Sequence, residues 1–323
     1  MENGKEPDSM MVKYNKMAAF QIKHIPHKSK LLQAVQVSSE EITCEIYPNL
    51  GASLQKLEWQ GKDIIKGIKS DQKDITVYQD LYSSAPLFPF PGRVDNGSYF
   101  FQDKIHRLEL NEPERSNAIH GLVAFESFEL IQTIQEGNSI KLEFLLSKKK
   151  PSTGFPFNFD LKIQYQISGS GIAISFEATN TGSTSFPFGI GWHPYFKSSQ
   201  LSEATLRFDA SHEISYNQNL IPTGRKQHTL PTTFQVGSME LDTCFILETP
   251  QLVLQTNEYQ LNMQMGSSNQ SYVQLYIPEQ RDCIAIEPMT CIPNAFNHKK
   301  GLLELAPNSN YTYTINLTLC CYE

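Results

Sequence analysis

The chain has 323 residues, 40% hydrophobic and 19% charged, with a formal net charge of −7 and a pI near 5.7. That is globular composition with room for a sizeable core, so the chain needs no disulfide or metal staple and is not disordered. There is no basic stripe to meet phosphates and no run of about 18 apolar residues to span a bilayer, which argues against nucleic acid and membrane as partners.

In chain order, Met1–Lys16 is polar and lacks the apolar core of a secretion signal. It reads as a flexible leader ahead of one domain over residues 17–323. Period-two alternation then dominates, in Ile140–Ser147, Asp160–Ser168, Ile172–Asn180, Tyr272–Pro278 and Tyr311–Leu319. Alternate apolar and polar residues are the pattern of half-buried antiparallel strands. Gly137-Asn138, Gly169-Ser170-Gly171 and Asn257-Glu258 separate such runs with residues suited to tight hairpins. No helical periodicity lasts beyond about two turns. The prediction is an all-β fold, a large antiparallel β-sandwich forming a single domain. Cys44, Cys244, Cys283, Cys291, Cys320 and Cys321 contain no CxxC pair and read as reduced thiols of a cytoplasmic protein.

Four segments break the alternation. Leu87–Phe101 sets two prolines, Pro89 and Pro91, ahead of Arg93, and proline gives a ladder no donor. Ser116–Val123 carries His120 before Gly121, and Phe186–Phe196 carries His193 between Trp192 and Pro194. In Asp282–Asn297 a strand over Ile284–Ile286 is expected to end at Glu287, with Pro288 stopping the ladder. Singly, each has a structural explanation: a surface ion pair, a satisfied histidine, aromatic packing, a solvated carboxylate. Together they gather two histidines, an arginine and a carboxylate among aromatic rings. Sugar C–H faces pack on rings and sugar hydroxyls need directed polar groups. A His and a Glu are also suited to acid–base work near neutral pH.

With these motifs the chain resembles the aldose 1-epimerase (galactose mutarotase) family. The resemblance runs from Tyr47–Ile65 through "PFPGRVDNGSYFF", "NAIHG", "GWHPYF" and "LDTCF" to "IEPMTCIPNAFN", in order. Pro-Gly before Arg93, and Pro-Tyr-Phe after His193, look more like a broad branch of the family than the better-known galactose mutarotases. The resemblance implies the mutarotase supersandwich and interconversion of the α and β anomers of a free hexose such as glucose or galactose. It implies Glu287 as general base, His193 as general acid, and His120 as a second histidine near the ring oxygen. It implies Arg93 and Asp242 as binders of hydroxyls, and we add Trp192 as a substrate-binding ring. The partner expected is a monosaccharide, without cofactor or metal.

Mutarotation opens a hemiacetal and recloses it on the other face, so acid and base exchange roles. At reference values of about 4.3 for Glu and 6.5 for His, a carboxylate base and a partly protonated His acid would coexist without large shifts. Two such groups contribute on the order of 10²–10⁴-fold each. Three alternatives share the architecture. A hexose 6-phosphate 1-epimerase would need clustered cations, and Arg93, Arg107, Arg115, Arg207, Arg225 and Arg281 show no clustered pair in sequence. A silent sugar-binding module would not need all five polar site residues. A β-sandwich lyase or hydrolase would use two carboxylates, which Asp242 and Glu287 could supply. His120, His193 and Glu287 could in principle form a metal triad, but no close ligand spacing in the sequence supports it.

Overall fold

The computed structural model describes residues 20–68, 75–149, 152–266 and 271–321. The expected leader lies outside them. The fold is all-β, with antiparallel sheets in one domain. The alternating segments all form strands: Ser139–Lys148, Phe159–Ser168, Gly171–Asn180, Ser271–Tyr276 and Asn310–Cys320. The Gly/Asn turns sit where hairpins close, with Gly137 at φ 54° between the Glu129–Glu136 and Ser139–Lys148 strands. Among the described residues the helices are short: one α-helix spans Thr76–Leu81 and another Ala295–His298.

Three sheets carry the architecture. A nine-stranded sheet includes the long strands of residues 129–180 and continues through Asn310–Cys320 to Gln260–Met265 and Gln251–Gln255. An eight-stranded sheet includes Ala210–Tyr216, Asp242–Leu247, Ser271–Tyr276 and Cys283–Met289. A five-stranded sheet spans Gln21 to Asp63. Each strand turns alternate side chains inward, so inner faces meet as one large core. Ile163, Ile174, Phe176, Leu254, Leu261, Ile284, Ile286 and Ile315 are buried within it. All six cysteines are free, four of them buried.

One local expectation fails. The Cys283–Met289 strand does not end at Glu287. It runs through Pro288, whose Cα partner is Val273, and on to Met289, opposite Tyr272. The reason lies on its other edge. There the Tyr195–Lys197 strand pairs with Ala285–Cys283, and Gly191 pairs with Met289. Between them the paired segment also carries a proline, Pro194, whose carbonyl accepts from Ile286 N–H. Ile286 N–H faces this edge, so by alternation the position where Pro288 lacks a donor faces it too, at the stretch where the ladder is interrupted.

Candidate active site

The eight-stranded sheet forms the floor of a cavity of about 470 Å³. Register fixes who meets whom. Gln274 is the Cα partner of Glu287 on one side. On the other side the pairs Gly191–Met289 and Tyr195–Ala285 continue in one register, which sets His193 across from Glu287. His193 Nε2 lies 3.4 Å from Glu287 Oε1, both side chains being almost fully buried. Two residues along the same faces, Tyr276 pairs with Asp242 and with Ala285, and Ala285 with Tyr195. Gln274, Glu287, His193, Asp242, Tyr276 and Tyr195 all line the cavity, as strand alternation requires.

The facing wall comes from the proline-rich loop and the segment after it. The Arg93–Asp95 strand pairs with Asn117–Ile119, and His120 follows directly. His120 takes a left-handed backbone, φ 61°, uncommon outside glycine. Its N–H donates to Gly92 O, and Leu122 N–H donates to Phe88 O. Gly121, φ 74°, sits where a Cβ would collide with the Phe88 carbonyl. The histidine is thus delivered by a backbone that only a following glycine permits. The His120 ring meets His193 edge-on at 4.9 Å between centroids, and His193 stacks on Tyr195 at 5.1 Å.

Arg93 is held rigidly. Its Nε and Nη2 each donate to Glu112 at 2.8 Å. Asn117 Nδ2 donates to the same carboxylate, and Arg115 Nη1 reaches it at 3.3 Å. Burial alone would lift the Glu112 carboxyl, but the Arg93 and Asn117 hydrogen bonds outweigh it and hold it below the usual carboxylate range. The sequence showed no clustered arginines, yet Arg93 and Arg115 converge on Glu112. A carboxylate 19 residues from Arg93 gives no spacing signal for that meeting.

Burial also overturns the expectation of unshifted acid and base. It pushes the His193 imidazole down to about 4, with Arg93 adding to the fall. It lowers His120 well below the ordinary value, with His193 and Arg93 adding to it. It raises Glu287 well above the ordinary range, and the Asp242 charge adds to that. Desolvation lifts Asp242 as well, against the pull of Arg93 and the hydrogen bond from Gln274. That bond, Gln274 Nε2 to Asp242 Oδ1, is 2.7 Å. His120 Nδ1 and His193 Nδ1 are buried with no hydrogen-bond partner.

Five of the six expected residues, Glu287, His193, His120, Arg93 and Asp242, therefore line one cavity. Trp192 does not. It neighbours His193 in the strand, so alternation turns its ring to the opposite face, where it is fully buried, donates to Ser84 O and packs edge-on to Phe196. Sequence reasoning missed Glu112, Gln274, Tyr276, Tyr195 and Tyr82, all on the cavity wall. Alternation in Ser271–Tyr276 puts Gln274 and Tyr276 on one face, but that this strand lies beside the one carrying Glu287 is decided by pairing. His120, His193 and Glu287 also place one donor atom each within 4.8 Å of one another, a spacing hidden in the sequence because the residues are far apart in it.

Comparison with known proteins agrees with this architecture. A galactose mutarotase-like protein from Clostridium acetobutylicum superposes with a TM-score of 0.84 at 20% identity, covering 95% of this chain and 100% of that one. Galactose 1-epimerase from Lactobacillus acidophilus NCFM gives 0.78 at 16% identity, covering 95% and 100%. In sequence, the uncharacterized protein YihR of Escherichia coli K12 is 26% identical over 280 residues, 83% of this chain and 87% of that protein. The family model described as "Aldose 1-epimerase" matches residues 33–318, and the chain belongs to that family.

Proposed function

We propose that the protein is a mutarotase that interconverts the anomers of a free hexose such as glucose or galactose, with Glu287 and His193 as the proton-transfer pair. One observation carries this reading: a buried carboxylate and a buried imidazole 3.4 Å apart on the floor of a polar cavity. The anomeric hydroxyl and the ring oxygen hang on one carbon, so two groups at this spacing can each reach one of them. Burial favours the neutral form of both groups, so the pair holds a single proton. Glu287 takes the hydroxyl proton when that proton is on His193, and His193 gives its own to the ring oxygen. The open aldehyde rotates, and reclosure runs the transfers in reverse. The shared proton suits this exchange of roles, because neither group is committed to being the acid.

His120 stands beside His193 and faces the ring-oxygen side in this reading. Its buried, unpartnered Nδ1 adds no competing charge. Arg93 is pinned by Glu112 and offers a fixed cation to sugar hydroxyls. Asp242 and Gln274, joined to each other, present an acceptor and an amide to further hydroxyls. None of these steps needs a cofactor.

The convergence of Arg93 and Arg115 bears on a phosphorylated substrate. Glu112 already accepts from both arginines, and Glu114 from Arg115. Asp80 and Asp242 add two further carboxylates to the wall. A phosphate dianion would meet spent cations and surplus negative charge, so the uncharged sugar is favoured. Free thiols throughout suit a reducing compartment, and we place the protein in the cytoplasm.

Exchange NMR on freshly dissolved α-glucose and α-galactose tests the reading. Catalytic amounts of protein should speed the approach to anomeric equilibrium for at least one of them. No acceleration with either would contradict it.

A further inference from the structure

We propose that the smaller cavity beside Tyr82 binds a second sugar ring, so that the preferred substrate is the reducing end of a disaccharide rather than a lone hexose. The proposal rests on the mutarotase reading above and extends it. The second cavity, about 160 Å³, shares Tyr82 and Asn111 with the main one. Asn111 fixes that shared wall. Its Nδ2 donates to the Tyr82 hydroxyl and to Ile119 O, and its Oδ1 accepts from Ile119 N–H.

A line of rings leads outward from the proton-transfer pair. Successive centroids are 4.9 Å apart from His193 to His120, 4.8 Å from His120 to Tyr82 and 5.7 Å from Tyr82 to Phe125. Phe125 ends the line at the surface, 43% exposed, supported from beneath by the edge of Tyr78. Such a ring, held in place yet open to solvent beside a pocket, is what the C–H face of a sugar packs against. Tyr82 holds a left-handed backbone, φ 49°, a conformation that for a bulky residue persists only when its surroundings impose it. Glu109 lines the same cavity and offers an acceptor to hydroxyls, while Asn111, both amide protons already donated, keeps one acceptor site on Oδ1. A hexose with its anomeric carbon at Glu287 would have its substituted end directed along this line, and the glycosidic partner would rest on Tyr82 and Phe125.

The test compares kcat/KM for anomerisation of glucose, isomaltose (1→6) and maltose (1→4), for wild type, Phe125→Ala and Phe125→Leu, with thermal melts confirming folded protein. The proposal predicts that at least one disaccharide exceeds glucose in wild type. It predicts that both variants lower the disaccharide-to-glucose ratio roughly three- to tenfold, the range of one lost ring contact. Acceleration of a disaccharide alone, with the same loss in the variants, would also support it. Glucose accelerated above both disaccharides, or a ratio unchanged in the variants, would overturn the subsite and leave the mutarotase reading standing. If no sugar is accelerated, both fall together.

Discussion

His193 lies across from Glu287 on an adjoining segment of one sheet, 3.4 Å away, at the point where prolines on both segments interrupt the ladder. A continuous ladder would fill this space with backbone hydrogen bonds. The interruption leaves both side chains on the floor of the cavity, at positions set by register. Geometry of this kind is rigid, because moving either residue means moving a buried strand.

The pair predicts opposite pH signatures in stability. The folded value of His193, about 4, lies below its ordinary 6.5, so its contribution is full above 6.5 and lost as pH falls towards 4. Glu287 is raised above 4.5, so its contribution is full below 4.5 and lost as pH rises towards its folded value. Between these limits the two slopes oppose. Relative to wild type, Glu287→Gln should lose stability as pH falls through that window. His193→Asn should lose it as pH rises. Denaturant midpoints across the window check both, and parallel profiles for all three proteins would contradict the shifts.

Activity should fall on the acidic side near pH 4, where the pair gains a second proton. His193→Asn should cut turnover strongly and remove that acidic limb. An unchanged pH–rate profile in this variant would exclude His193 as the acid.

Glu112→Gln should loosen Arg93, whose two donors it holds. Charge-assisted hydrogen bonds of this kind contribute about 1.5–3 kcal/mol, and the expected result is a KM raised about tenfold with a smaller change in kcat. Steady-state kinetics on the accepted hexose measure the split. A loss confined to kcat would place Arg93 in the chemistry instead.

Gly121→Ala sets a Cβ against the Phe88 carbonyl at φ 74°. A cost of about 1–3 kcal/mol in stability is expected, together with lost activity as His120 shifts. Thermal melts and rates on the same preparation should move together. A variant with wild-type stability would show that the local backbone yields more easily than its packing suggests.

The His120, His193 and Glu287 donors, within 4.8 Å, form a set that Zn²⁺ can occupy. Added Zn²⁺ should inhibit competitively with sugar, and chelator-treated protein should keep full activity. Activity lost to chelation and restored by metal would require a metal-assisted step in place of simple proton transfer.

Much of the fold was legible because half-buried strands write a period of two into the sequence, as in Asp160–Ser168 and Tyr311–Leu319. Five of the residues that line the cavity were legible because Gly, Pro and aromatic residues around most of them break that period. What stayed hidden is what pairing decides. Nothing near Gln274 announces that it lies beside Glu287, and nothing in residues 111–115 announces that Glu112 will clamp Arg93. Trp192 was misassigned because adjacency in sequence to His193 means opposite faces in a strand. The large pKa shifts were invisible too, since the motifs reveal residue types and only the folded sheet reveals their burial.

The central claim is that Glu287 moves the anomeric proton. The most direct test is anomer-exchange NMR with wild type and Glu287→Gln side by side, with sugar binding followed on the variant. The expected result is fast exchange with wild type, near-complete loss with Glu287→Gln, and retained binding. Exchange at wild-type rates in the variant would contradict the claim.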